Sequence, residues 1–112
     1  MRQSNWIALT LMLAVTGSAQ ADSSVEEGRK LANERKKGNC LACHQMDQGA
    51  DPGNIGPPLI MMKQRFPDKT KLRAQIWDAA ERNPHTIMPR FGRYDIMTDE
   101  EIDKVTDYIY TL

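Results

Sequence analysis

Apolar residues recur at helical spacing in three stretches of this chain and nowhere alternate long enough to make a strand. In the first stretch Val25, Gly28, Leu31 and Ala32 share one face while charged residues fill the others. Ser24 and Glu27 stand at capping-box spacing, which predicts a helix start, and Gly38 sits where a helix would stop. A glycine inside a helix costs about 1 kcal/mol relative to alanine, so Gly28 predicts a close crossing by another helix. In the second stretch Leu72, Ile76, Ala79 and Ala80 form a face. Asp68 offers a cap and Asn83-Pro84 a stop, which predicts a helix from Asp68 to about Arg82. The third carries the firmest pattern: Ile102, Val105, Ile109 and Leu112 form a stripe flanked by Tyr108 and Tyr110. Thr98 and Glu101 give a second capping box there, with Met97 and Ile102 at the staple positions.

Between these stretches the chain loses its period. Residues 45–58 turn to Gly, Asp, Asn and Pro, with Asp51-Pro52-Gly53 a turn by its chemistry. Ile55 to Leu59 is a stiff segment, followed by apolar Ile60-Met61-Met62 and a polar run to Pro67. His85 to Ile96 is irregular and holds Met88-Pro89 and Phe91-Gly92. The expectation is an all-α domain of three main helices with long loops that leave room for a flat buried group.

The first 21 residues read as an export signal. Arg2 gives a positive start, Trp6 to Val15 is an apolar run too short to span a bilayer, and Ala19-Gln20-Ala21 supplies small residues for cleavage after Ala21. Residues 22–112 are then one small domain, with no membrane anchor left after cleavage, located in the periplasm. With 15 Lys plus Arg against 15 Asp plus Glu, and Arg2 lost with the signal, the mature chain is near neutral. A nucleic-acid partner is therefore not expected.

The candidate chemistry is concentrated in Cys40-Leu41-Ala42-Cys43-His44, which holds both cysteines of the chain. A thioredoxin-like pair would want a strand before it, and a zinc site would need four ligands at a spacing that Cys40, Cys43, His44 and His85 do not offer. The pattern is that of c-type haem attachment, with Cys40 and Cys43 bonded to the porphyrin edge and His44 on the iron. One covalently bound haem c is the expected cofactor, and it would supply the core that few aromatic side chains could fill. For the other face of the iron the chain offers Met61, Met62, Met88 and His85. Met88 is the expected ligand, because Pro89 biases it toward extended backbone in a loop. Met61 and Met62 have the reach but suit apolar filling, and His85 would make a bis-histidine site of lower potential. An open sixth position, as in a haem enzyme or gas sensor, is the reading of another class.

The Cys-x-x-Cys-His after an N-terminal helix, Gly56-Pro57-x-Leu59, a methionine loop and an aromatic-bearing last helix resemble class I cytochrome c over essentially the whole mature chain. Gly38-Asn39-Cys40, Ile55-Gly56-Pro57 and above all Asn83-Pro84-x-Thr86-x-Met88-Pro89-x-Phe91-Gly92 resemble SoxX, the monohaem subunit type of the Sox thiosulfate-oxidising system. The resemblance implies that the Pro57 carbonyl accepts from His44, that Leu59 packs on the macrocycle, and that Gly28 meets Tyr108. It also implies a SoxA-like haem subunit as heterodimer partner, a SoxYZ carrier whose cysteine is coupled to thiosulfate, and a downstream acceptor cytochrome. A free class I cytochrome c shuttle is the alternative function. Because haem takes both thiols, no sulfur chemistry or catalysis is expected from this chain alone.

Overall fold

The computed structural model describes residues 17–112, so the apolar run of the expected export signal lies outside the described residues. Among the described residues four helices follow one another: α1 (Gly17–Asn33), the one-turn α2 (Met62–Arg65), α3 (Lys69–Trp77) and α4 (Asp99–Ile109). Short 3₁₀ turns lie at Cys40–Ala42 and Ala79–Glu81. Among the described residues there is no strand, only an isolated parallel bridge between Met46 and Leu59, and the class is all-α. No described helix is long and apolar enough to cross a membrane.

The crossing of α1 and α4 organises the rest. A Cβ on Gly28 would lie 1.9 Å from the Lys104 carbonyl oxygen and 3.0 Å from Tyr108 Cβ, so the missing side chain is what lets the helices touch. Polar groups fasten the rim of this contact: Lys104 pairs with Glu27 at 2.5 Å, Lys37 with Glu101 at 3.1 Å, and the Ser24 hydroxyl donates to Asp107 at 2.7 Å. Ser24 was expected to cap the helix, but α1 is already under way at Gly17. Inside a helix the amides ahead of it have carbonyl partners, which frees the hydroxyl for α4. At the other end α1 stops at Asn33, earlier than Gly38, whose N–H returns to the Leu31 carbonyl at 3.1 Å.

The last helix forms as its pattern predicts. Thr98 accepts from the Glu101 amide while Glu101 reaches back to the Thr98 amide, and Met97 and Ile102 are both buried. Three acidic residues in its first turn suit the positive end of the helix dipole. Its stripe of Ile102, Val105 and Ile109 packs with Leu72 and Ile76 of α3 in one apolar cluster.

The middle helix departs from expectation. Asp68 does cap it, accepting from the Thr70 amide at 3.0 Å, but α3 ends at Trp77 rather than near Arg82. Asp78 leaves helical geometry (φ −155°, ψ 85°) and its carboxylate caps the following 3₁₀ turn through the Ala80 amide. Two arginines from the 85–96 segment converge on that same carboxylate, and these tertiary bonds outweigh the weak local preference for continuing the helix.

Candidate haem site

The Cys40–His44 pentapeptide is held by backbone bonds on both sides. Its 3₁₀ turn is closed by the Cys43 amide on the Cys40 carbonyl at 3.1 Å, and the His44 amide donates to the same carbonyl at 2.9 Å, after Asn39 turns the chain with φ 48°. The loop beyond is laced onto it by three further bonds. Gly53 N–H donates to Leu41, Gly56 N–H to Cys43, and Leu59 N–H to Gln45, each at 2.8 Å. Gly53 and Gly56 are needed for this close approach. A Cβ on the first would lie 1.8 Å from the Ala42 oxygen, and on the second 2.3 Å from His44 Cε1.

This lacing brings the Pro57 carbonyl to 2.7 Å from His44 Nδ1. A carbonyl oxygen only accepts, so Nδ1 carries the proton and Nε2 is left with its lone pair for a metal. The ring is thus fixed in one tautomer and one orientation. Burial pushes the Cys40 thiol up to about 11, so it remains protonated at neutral pH and is not an activated thiolate.

Cys40, Cys43 and His44 line a cavity of about 620 Å³, within the size range of cofactor sites. Pro57 and Leu59 lie on its wall beside them, and Met88 lines it from the 85–96 segment. Its floor is apolar, formed by Leu72 and Ile76 of α3, Val105 and Ile109 of α4, and Phe91. The four sixth-ligand candidates are sorted by position. Met62 and Met88 line the cavity, whereas Met61 is 60% exposed and neither it nor His85 lies on the wall. Met62 is fully buried, its sulfur accepts from Arg65 at 3.4 Å, and its amide is held by the Leu112 carbonyl. Met88 is half-buried, and only its backbone amide is engaged, with the Thr86 hydroxyl accepting at 3.2 Å.

Some residues that shape the site carried no sequence signal. Arg65, expected only as part of a polar run, donates to the Pro58 carbonyl at 2.7 Å and to Ile60 at 3.2 Å, and so ties α2 to the Pro57 segment. Asp78, which falls inside the expected second helix, is the buried anchor of Arg90 and Arg93. A charge marks a buried partner only once its helix is broken, and composition does not reveal that.

Two thiols at attachment spacing, an imidazole with a committed Nδ1 and an apolar slot with a thioether on its wall together fit a covalently held haem. The class so defined is an all-α haem protein built for electron transfer. The cytochrome c family model matches residues 25–112, and the chain belongs to that family, with haem c attached covalently. An uncharacterized lipoprotein of Aquifex aeolicus (strain VF5) is 36% identical over 76 residues, which are 67% of this chain and 37% of that protein. The chain therefore spans well under half the length of this relative.

Proposed function

We propose that the protein is a periplasmic monohaem electron-transfer cytochrome acting as a SoxX-like subunit of a SoxXA-type complex. It is exported by residues 1–21 and folds as residues 22–112. The observation that carries the reading is the Asn83 to Gly92 stretch, which combines the SoxX-like motif with a position for Met88 on the wall of the cavity that His44 also lines. Cys40 and Cys43 would hold the cofactor covalently, His44 and Met88 would bind its iron, Pro57 orients His44, and Leu59 on the cavity wall would pack against it.

The bound haem supplies a one-electron iron couple. The residues of the chain set its conditions. Pro57 makes His44 a fixed and better donor through the Nδ1 bond, and a thioether opposite a histidine favours a relatively high potential. The apolar floor excludes water from the ring, which disfavours the more highly charged oxidised state. Ile55 and Ile87 are 65% and 72% exposed while lining the same cavity, so its mouth opens to the surface between two loops. Electrons released when thiosulfate is coupled to a SoxYZ cysteine would enter through a SoxA-like partner and leave to an acceptor cytochrome. Both thiols belong to haem attachment, so this chain contributes electron transfer and leaves sulfur chemistry to its partners.

Two measurements test the reading. The oxidised protein should show a thioether-to-iron absorption band that is lost in Met88→Ala and kept in Met62→Ala; the reverse pattern would assign the ligand to Met62. From cells grown on thiosulfate the protein should co-purify with a haem-bearing partner. A lone monomer reduced equally well without that partner would instead identify a free cytochrome c shuttle.

A further inference from the structure

We propose that Asp78 is a positioning residue for Met88: its buried carboxylate grips Arg90 and Arg93 and thereby holds the Met88-Pro89 segment at the cavity wall. The proposal rests on Met88 being the iron ligand. The Asp78 side chain is wholly buried, while those of Arg90 and Arg93 are 31% and 45% exposed, so the fixed point of the cluster is the carboxylate. Arg90 meets it with a two-pronged fork, Nε to Oδ1 and Nη2 to Oδ2, both at 2.6 Å. Arg93 Nε adds a third bond at 3.1 Å.

The clamp lies close to the thioether along the chain. Only Pro89 separates Met88 from Arg90, and its ring fixes one of the few torsions between them. Just beyond, the Gly92 amide donates to the Trp77 carbonyl at 2.9 Å, and a Cβ on Gly92 would lie 2.0 Å from the indole. Arg93 stacks over that indole, 5.3 Å from its centroid. On the other side of Met88 the hold is local: Asn83 accepts from the His85 amide and Thr86 from the Met88 amide. Beyond Met88 the bonds that tie the segment to α3 and to its broken C-terminal end are those of Arg90, Gly92 and Arg93, while before it the Asn83 amide donates to the Ala79 carbonyl at 3.2 Å. This gives the early end of α3 a purpose, since a helix continued through residue 78 would not present the carboxylate in this geometry.

The test uses the oxidised haem protein and measures how fast added imidazole displaces the sixth ligand, a step that waits on departure of the thioether. Asp78→Asn removes the charge at constant shape, and Arg90→Lys keeps the charge but loses the fork. Each should raise the displacement rate by about tenfold or more, because a lost charge-assisted bond acts directly on opening of the loop. Arg73→Gln, which removes ion pairs from α3 to Asp99 and Asp103, should leave the rate as in the parent protein. If Asp78→Asn does not fold with haem, Arg90→Lys decides. Parental displacement rates in the variants, with the thioether band still abolished by Met88→Ala, would overturn the clamp alone. A band that survives Met88→Ala would overturn the ligand reading and the clamp with it.

Discussion

At Gly56 the whole orientation of the His44 imidazole depends on one missing methyl group. A Cβ there would come within 2.3 Å of His44 Cε1 and 2.6 Å of Nδ1, so Gly56→Ala has to push the ring off the Pro57 carbonyl. The backbone at Gly56 is not left-handed, and the penalty is therefore one of space. Gly56→Ala is expected to destabilise the haem protein by about 1–3 kcal/mol in denaturant unfolding, with loss of the Nδ1 proton signal by NMR. A second residue-scale prediction concerns acid. The Arg90 bonds, with those of Arg93, outweigh burial and hold the Asp78 carboxyl down at about 2, against an ordinary 3.8. Because the folded value lies below the unfolded one, its stabilisation is present above the unfolded value and is lost as pH falls through about 2. Unfolding measured from pH 5 downward should show the parent protein converging on Asp78→Asn across that window. Curves that stay parallel would remove Asp78 from the acid response.

The helices differ in how openly their sequences declare them. The α1–α4 crossing is an element-scale constraint with a sharp prediction. Gly28→Ala gains about 1 kcal/mol of helix propensity but sets its methyl group 1.9 Å from a backbone oxygen that cannot rotate away. The expected net result is a loss of about 1–3 kcal/mol in chemical unfolding, where an exposed helical glycine would show a gain. Thr98→Ala should cost about 1 kcal/mol in the same assay, because the Glu101 amide loses its acceptor. Both features could be seen in the sequence, since a glycine on an apolar face and a capping box are local patterns. So could the cap at Asp68 and the attachment pentapeptide, which is a contiguous motif. What stayed hidden was non-local. Nothing near Asp78 signals that Arg90 and Arg93 will reach it, so the second helix was expected to run on to about Arg82. Likewise α2 has no periodic pattern of its own; Arg65 and the Leu112 carbonyl hold it from outside. The Ser24 hydroxyl is equally non-local: it donates to Asp107 of α4, a contact its immediate neighbours do not encode.

The domain as a whole is divided between a part that packs on itself and a part that needs a guest. The α1–α4 crossing is closed by direct contact, and α3 packs onto α4 through Leu72 and Ile76. The pentapeptide with its laced loop and the Met88 segment instead share the walls of a cavity of about 620 Å³. Its floor is apolar, and so small a domain has little other burial with which to offset the entropy of ordering two long loops. Removing the cofactor should therefore act unevenly. A Cys40→Ala/Cys43→Ala chain, which cannot retain haem covalently, is expected to keep part of the helical circular-dichroism signal, from α1 and α4, while losing its sharp unfolding transition. Hydrogen exchange should show protection surviving around residues 28 and 105 and vanishing over 40–46 and 86–92. The clamp at Asp78 should not rescue the second of these regions, because it fixes only one end of a segment whose other end is held by the short-range bonds of Asn83 and Thr86. Persistent protection over 86–92 without haem would show that the protein alone orders the Met88 loop. In that case the Met88 thioether is held at the cavity without the cofactor, and its proposed bond to iron would cost little further ordering.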